Sequence, residues 1–247
     1  MGLFSRSSKT SGGSAVSKLR FLSQYTLGEG KIEMLTSGDA GSLPMPSQWR
    51  SIVDQDRAAD RVGAALALRR GFMGLRTPAT VRYLEGNLED VELMRVGEYS
   101  YLLYSVRNGA GEILYYAGGN PLERDFGDNA TLAGMWERVP DSLRAFCEDF
   151  HEGFYYFPSR DGGLDALRYV LRLGAVDWSV IPELDVEVRI DLDTSFGFFA
   201  NGSGGYVVLD LSQPSLDNAC VWWAHEPPSY GVGFWPEVDG WIAAGLE

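Results

Sequence analysis

Histidine and cysteine are the residues of this chain that most readily bind metals or transfer protons. A proline pair follows His225-Glu226, and because proline breaks a helix, the helical His-Glu-x-x-His zinc motif is excluded there. We therefore expect His225 to be a structural or loop-surface histidine and not a metal ligand. His151 follows two acids near a predicted helix end, where the helix dipole and the acids favour an imidazolium. Cys147 and Cys220 have no zinc-site spacing, and we expect both to be buried, reduced thiols.

Paired carboxylates are the second feature that could serve catalysis. Asp191 and Asp193 lie on one face of the strand predicted for residues 186–193, an arrangement that hydrolases and cation sites use. Since no third ligand or fixed partner accompanies them, we interpret them as a solvated acidic face. The glycine-rich run 202–205 lies between two predicted strands and not before a helix, so it lacks the helix N-terminus that binds phosphate. The sequence therefore predicts no catalytic residue, no cofactor and no metal.

Binding is the remaining class of chemistry, and the charge of the chain bears on it. The sequence has 34 acids and 21 bases, a formal net charge of -13. Such an acidic body disfavours nucleic acid and anionic membranes as partners, and it speeds the encounter with a basic protein. Solubility alone is an alternative reason for this charge. No apolar run approaches the roughly 20 residues that span a bilayer, and the amino terminus has no signal-peptide core, so we expect a cytoplasmic protein.

The candidate binding residues are acids and aromatics near the carboxyl end. The acids could oppose the basic cleft of a nuclease or nucleotide-modifying protein, and aromatic side chains at the centre of such a contact would supply most of its energy. Because neighbouring strand residues point to opposite faces, at most one of Trp222 and Trp223 belongs to the core, and the other is exposed or covered by the terminal helix. The candidates are Glu187, Asp191, Asp193, Asp210, Trp222, Trp223, His225, Glu226 and Tyr230.

A β-hairpin is the element that would position most of these residues. Residues 196–200 and 206–211 are apolar runs joined by a corner rich in Asn and Gly, which accept the positive φ that hairpin turns need. A third strand is predicted for residues 219–224, because the prolines that follow cannot donate to a strand ladder. The chain is predicted to close with a short helix at residues 237–242.

The first half of the chain has the pattern of a helix followed by a β-meander. Residues 118–129, rich in Gly, Asn and Pro, are predicted to be a boundary between two units. Helices are predicted at residues 48–71, 140–151 and 163–173, and strands at residues 80–85, 91–96, 99–106 and 112–117.

A set of short motifs in the second half resembles a known family. A tryptophan and a Pro-x-x-Leu-x-x-Phe helix start occur at residues 136–146. After them come a Phe before a Gly-Ser-Gly corner, a strand-ending acid, a Trp-Ala-His-Glu stretch and an aromatic terminal segment, at Phe199, 202–204, Asp210, 223–226 and 234–242. In this order they resemble the SUKH superfamily, over roughly residues 132–246. The Asn-Gly that follows the first helix of the family is missing, since residues 151–155 read His-Glu-Gly-Phe-Tyr.

The resemblance implies a bacterial immunity protein of a polymorphic toxin system, which binds and neutralises a cognate toxin stoichiometrically and without catalysis. Eukaryotic relatives of the family are tied to cell-wall synthesis signalling, so a regulatory or scaffold protein is the alternative, and an enzyme comes third. We predict an α+β protein whose two small units each pack helices on a mainly antiparallel sheet. Its parts are a flexible basic tail at residues 1–18, a helix-plus-β-meander domain at 19–120 and a SUKH-like domain at 130–247.

Overall fold

The computed structural model of the chain describes residues 11–26, 28–178 and 187–247, with the side chains of 11–15 left out. Over these residues the protein is α+β, as predicted, with eight α-helices and one antiparallel sheet of eleven strands. The helices are α1 (Ser11–Leu22), α2 (Ser37–Ala40), α3 (Ser47–Val53), α4 (Ala58–Met73), α5 (Pro78–Asn87), α6 (Ala130–Met135), α7 (Asp141–Ala145) and α8 (Phe234–Leu246). The strands are β1 (Ile32–Leu35), β2 (Leu88–Val96), β3 (Tyr99–Arg107), β4 (Ile113–Gly119), β5 (Phe154–Tyr156), β6 (Asp161–Leu164), β7 (Leu171–Arg172), β8 (Ser195–Ala200), β9 (Gly205–Asp210), β10 (Ala219–Trp223) and β11 (Ser229–Val232).

The sheet is a meander in which strands pair in chain order, except that β6 pairs with β8 and the short β7 lies beside β8. It crosses the predicted boundary at 118–129 without interruption, because β4 pairs with β5. Gly118 and Gly119 belong to β4, where a Cβ on Gly118 would lie 2.6 Å from the His151 ring. These glycines therefore let residues 151–152 lie directly against the strand. The division into two units stays a prediction.

Two faces of the sheet are covered differently. Helices α3, α4, α5 and α8 pack on one face, and the hydrophobic core there includes residues from Ala40 to Leu246. On the other face Leu22 of α1 packs with Met94 and Leu103 of β2 and β3. Farther along the same face, β9 and β10 are covered by side chains from residues 173–178 and 188–192. The binding candidates lie mainly on this second face.

Several predicted elements of the carboxyl half are confirmed. The hairpin is formed by β8 and β9, and Gly202 and Gly204 in its corner have φ of +75° and +85°, the left-handed values expected there. The third strand is β10, and the terminal helix is α8, which is longer than predicted. In the first half β2, β3 and β4 match the predicted meander. The helix predicted at 140–151 is α7 continued by a π-helical turn, Phe146–Phe150.

Other predicted elements are wrong or confirmed only in part. Residues 80–85 belong to α5 and not to a strand. The helix predicted at 48–71 is confirmed in part, since it is present as α3 and α4, which a break at residues 54–57 separates. The helix predicted at 163–173 is replaced by the end of β6, a 3₁₀ turn and β7. Gly163 explains the start of this difference, since a Cβ there would lie 2.0 Å from the carbonyl oxygen of Phe154 in β5.

The strand predicted at 186–193 is also wrong where it can be compared, because residues 187–193 have no strand structure, and Val186 lies outside the described residues. Of the predicted tail at 1–18, residues 1–10 are likewise outside the described part, and the remainder belongs to α1. Among the helices that the structure describes, none is both long and apolar enough to cross a membrane.

Candidate functional site

The net negative charge of the chain is concentrated toward its carboxyl end. Residues 176–247 contain twelve Asp or Glu and a single Lys or Arg, Arg189, which gives this part a formal charge of -11 out of -13 for the whole chain when His is neutral. It includes β8 to β11 and α8. A charge of one sign over one part of a surface attracts basic partners and orients their approach.

The segment of residues 187–194 presents the exposed acids of this region. Its alternating apolar side chains pack against Val208, Cys220 and Trp222 of β9 and β10; they are Val188, Ile190 and Leu192. The backbone is fixed where Gly174 N–H donates to the carbonyl oxygen of Leu192 at 2.7 Å. The residues between the anchors are exposed; they are Glu187, Arg189, Asp191 and Asp193. The alternation in the sequence therefore marks a coil that lies across the sheet with one apolar side and one acidic side.

Asp210, the last residue of β9, holds the end of this segment in place. Its Oδ1 accepts hydrogen bonds from Thr194 Oγ1 at 2.7 Å and from Ser212 N–H at 2.8 Å, and its Oδ2 accepts one from Asp191 N–H at 3.3 Å. Burial raises the pKa of Asp210, but these hydrogen bonds outweigh burial and the pKa lies below its ordinary value. Asp210 is therefore a half-buried positioning residue, and the exposed charge comes from its neighbours.

The exposed acids Glu187, Asp191 and Asp193 form an acidic surface, and two arginines neutralise part of it. Arg172 Nη1 lies 2.8 Å from Asp193 Oδ1, and Arg189 Nε lies 3.3 Å from Glu187 Oε2. The backbone N–H of Arg189 donates to the hydroxyl of Tyr230 at 3.1 Å, so Tyr230 supports the segment from β11. Exposed ion pairs of this kind contribute at most about 1 kcal/mol. These weak ion pairs therefore do not prevent the acids from binding a basic partner.

The two tryptophans of β10 point to opposite faces, as predicted. Trp222 is 1% exposed and packs with Trp178, whose ring centroid is 5.5 Å away. Trp223 is half-buried on the other face, 5.7 Å from the ring of Trp241 in α8. Trp222 therefore belongs to the core, and Trp223 is the one that the terminal helix covers. Neither presents a free ring at the surface.

A cavity of about 360 Å³ opens beside this acidic surface. Trp178 and Tyr206 are its aromatic walls, with ring centroids 6.4 Å apart and planes at 78°. Exposed residues at its rim include Asp177 and His225, and the loop position of His225 is as predicted. The sequence interpretation missed Trp178 and Tyr206. Tyr206 is paired with Trp222 in the neighbouring strand, and directly paired strand residues share a face. This pairing is the signal that could have identified Tyr206 as a neighbour of the candidate site.

Two buried titratable groups lie under the helices and next to β4 and β5, at His151 and Glu152. His151 is fully buried, with Nε2 2.9 Å from the hydroxyl of Tyr104. Burial, and then the nearby Arg69, lower the pKa of His151 well below its ordinary value. The imidazolium predicted from the neighbouring acids is therefore wrong, because the chain turns the ring into the core and away from the helix end.

Glu152 is a buried carboxylic acid, 3% exposed. Burial raises its pKa to about 8, although Leu167 N–H donates to Oε1 at 2.6 Å and Arg168 lies 3.9 Å away, both of which favour the ionised form. The space beside Glu152 and Arg168 is too small for a water molecule. A substrate cannot reach this carboxyl group as the structure stands, so its altered pKa is not evidence of a catalytic site.

The two cysteines are the side chains of the chain best suited to bind a soft metal ion. Cys147 and Cys220 are free and buried, as predicted. Burial raises the pKa of the Cys220 thiol to about 12, which keeps it protonated at neutral pH. Within residues 11–26, 28–178 and 187–247, no group of three or more His, Cys, Asp or Glu is arranged to hold a metal ion.

The candidate site thus consists of the acidic surface and the cavity beside it. In comparisons with known proteins, the chain matches no family model, no curated protein and no solved structure.

Proposed function

We propose that the protein is a cytoplasmic immunity protein that binds a cognate bacterial toxin and neutralises it by stoichiometric occlusion, without catalysis. The observation that carries the proposal is the placement of exposed acids on an anchored segment, at Glu187, Asp191 and Asp193, within a region of net charge -11. The order of the motifs that resemble the SUKH superfamily supports the same function.

Occlusion needs only shape and opposite charge. A toxin that cuts or modifies nucleic acid must bind phosphates, so its active-site cleft carries Lys and Arg. An acidic surface that enters the cleft competes with the substrate for these residues and speeds the encounter through long-range attraction. The acids must be held in place to gain specificity, and the packing of Val188, Ile190 and Leu192 against β9 and β10 does this. No catalytic group on this chain is required.

The test uses the product of the gene adjacent to the one that encodes this chain. We would mix the two purified proteins and measure their affinity by calorimetry at 50 mM and 300 mM salt, and then express them together in cells. Tight one-to-one binding that weakens with salt, together with protection of the cells, is the expected result. Absence of binding would contradict the proposal. Binding to a neighbour that is harmless to cells would favour the regulatory or scaffold alternative.

A further inference from the structure

The cavity beside the acidic surface has walls that are fixed before any partner arrives. Trp178 donates from its indole Nε1 to the carbonyl oxygen of Leu173 at 2.8 Å, and its ring packs edge-on against Trp222 at 5.5 Å. Tyr206 stands on β9, paired with Trp222 across the sheet. Trp178 cannot turn without breaking its hydrogen bond to Leu173, and Tyr206 packs in the same cluster as Trp222. A group that enters the cavity therefore meets two preformed ring surfaces.

The chemistry of the lining favours a cation. The π-faces of Trp and Tyr attract positive charge, and Trp is the strongest of the aromatic side chains in this respect. Asp177 is exposed at the rim and supplies a carboxylate. Among the described residues that line the cavity there is no Lys or Arg, and His225 at the rim is the one imidazole. The net charge of -11 over residues 176–247 adds a long-range field of the same sign.

Neither of the two described arginines that pair with the acidic segment lines the cavity. Arg189, the single Lys or Arg of residues 176–247, is engaged with Glu187 and lies 5.7 Å from the ring of Tyr230. Arg172, which follows Leu171 of the cavity lining, is paired with Asp193. Both arginines nearest to the acidic surface thus have partners of their own.

We propose that the cavity between Trp178 and Tyr206 receives an arginine side chain from the partner protein. This inference rests on the proposed function for the source of the arginine. A guanidinium is planar, stacks on aromatic faces and bonds a carboxylate with two N–H groups, so it matches rings and acid together better than lysine does. A volume of about 360 Å³ admits one such side chain with its surrounding water.

The first experiment tests the cavity without any partner. The probe is the tripeptide Gly-Arg-Gly, acetylated and amidated, and its control is the same peptide with uncharged citrulline in place of arginine. The indole N–H signals of ¹⁵N-labelled protein are followed by NMR, with that of Trp178 assigned through Trp178→Phe. The arginine peptide is expected to shift the Trp178 signal in a saturable way at millimolar concentrations. The citrulline peptide is expected to leave it unchanged.

Two single variants determine where the peptide binds. Asp177→Asn is expected to raise the dissociation constant about threefold, because it removes the rim carboxylate and alters no buried contact. Asp217→Asn removes the same charge from an exposed position outside the cavity lining and is expected to have no effect beyond error. The inference is overturned if Trp178 shows no saturable shift, if citrulline binds equally well, or if the two variants behave alike.

The second experiment returns to the adjacent gene product. If it binds, Trp178→Leu combined with Asp177→Asn is expected to weaken the complex about tenfold or more, as loss of a central arginine contact does. Unchanged affinity would overturn the cavity inference and leave the proposed function standing. If the gene product does not bind at all, the proposed function fails, and the peptide titration alone decides whether the cavity takes arginine.

Discussion

The carboxylate of Asp239 caps the amino-terminal end of α5 by binding Thr80, although the two residues are 159 positions apart in the chain. Its Oδ1 accepts hydrogen bonds from the backbone N–H and the hydroxyl of Thr80, both at 2.8 Å, and its Oδ2 accepts one from Ala79 N–H at 2.9 Å. These N–H groups belong to the first turn of α5 and have no partner within the helix. A negative charge at this position also interacts favourably with the positive end of the helix dipole.

We predict that Asp239→Asn lowers the free energy of unfolding by about 2–3 kcal/mol, because the amide keeps one acceptor oxygen and turns an N–H group toward another donor. Urea denaturation followed by tryptophan fluorescence measures this loss. Glu237→Gln, which changes the same charge in the first turn of α8, is the matched control and is expected to stay within about 0.5 kcal/mol of wild type. An equal effect of both variants would mean that charge, and not the cap, is responsible.

This cap also explains why part of the fold was not predictable from the sequence. Residues 80–85 read Thr-Val-Arg-Tyr-Leu-Glu, which alternates and is rich in strand-forming types. The local signal for a helix was Pro78 at its first turn, and the stronger determinant is Asp239, which lies far away in the sequence. Tertiary contacts here outweigh local propensity. The hairpin of β8 and β9 was predictable because Gly202 and Gly204 determine it locally.

The candidate site was predicted in part for a similar reason. The acids at Glu187, Asp191 and Asp193 were identified from alternation, and they are exposed as expected. Alternation of apolar and polar residues shows which side chains point inward. It does not distinguish a strand from a coil that lies across a sheet, because both produce the same pattern. Trp178 was missed because its place in the cavity depends on where the chain folds back after β7, which no local pattern records.

Glu152 gives a prediction about pH. Its pKa is raised to about 8 in the folded protein, from 4.5 in an exposed chain. Between these values the folded state binds a proton that the unfolded state has released, so stability falls as pH rises through this window and then levels off above it. Glu152→Gln cannot ionise and does not lose this stability. The difference between variant and wild type is therefore expected to grow in favour of the variant by roughly 2–5 kcal/mol from pH 5 to pH 8.5.

Urea denaturation of both proteins at several pH values checks this, and the comparison removes the titration of groups that they share. A difference that does not change with pH would contradict the prediction. It would mean that Leu167 N–H and Arg168 keep Glu152 ionised throughout, despite burial.

Arg69 is a buried guanidinium whose removal is expected to be tolerated. It is 1% exposed, lies 4.2 Å above the ring of Phe154, and two of its nitrogens, Nε and Nη1, lack a hydrogen-bond partner. Burial lowers the pKa of Arg69 to about 10, so it stays charged at neutral pH. Because a buried charge without full pairing costs more than an apolar group of similar shape, Arg69→Met is expected to leave stability unchanged or raise it by up to about 2 kcal/mol.

Thermal and urea unfolding of Arg69→Met measures this. Arg70→Met is the matched control, since Arg70 is exposed and paired with Glu85, and it is expected to change stability by less than about 1 kcal/mol. A loss of more than 2 kcal/mol in Arg69→Met alone would contradict the prediction. It would show that stacking on Phe154 outweighs the cost of burying the charge.

The acidic segment gives the last prediction, which concerns the rate of association with the adjacent gene product. Asp191 and Asp193 are exposed, and under the proposed function the loss of their two charges weakens long-range attraction to the partner more than it weakens contacts. Asp191→Asn with Asp193→Asn is expected to slow association about 3- to 10-fold at low salt and to reduce its dependence on salt, with little change in dissociation. Asparagine can still accept the hydrogen bond from Asp193 N–H to position 191. Stopped-flow fluorescence at several salt concentrations measures both rates.

The matched control separates location from total charge. Asp54→Asn with Asp56→Asn removes the same two charges from the exposed break between α3 and α4, outside the acidic part of the chain. If the surface over β9 to β11 faces the partner, the control is expected to slow association by less than about twofold. Its charges lie beside β1 and β2, at the opposite end of the sheet, and charges farther apart than the Debye length of about 10 Å at 0.1 M salt are largely screened. Equal slowing by both pairs would mean that the net charge of -13 steers the encounter without regard to position, and the binding face would then have to be sought elsewhere.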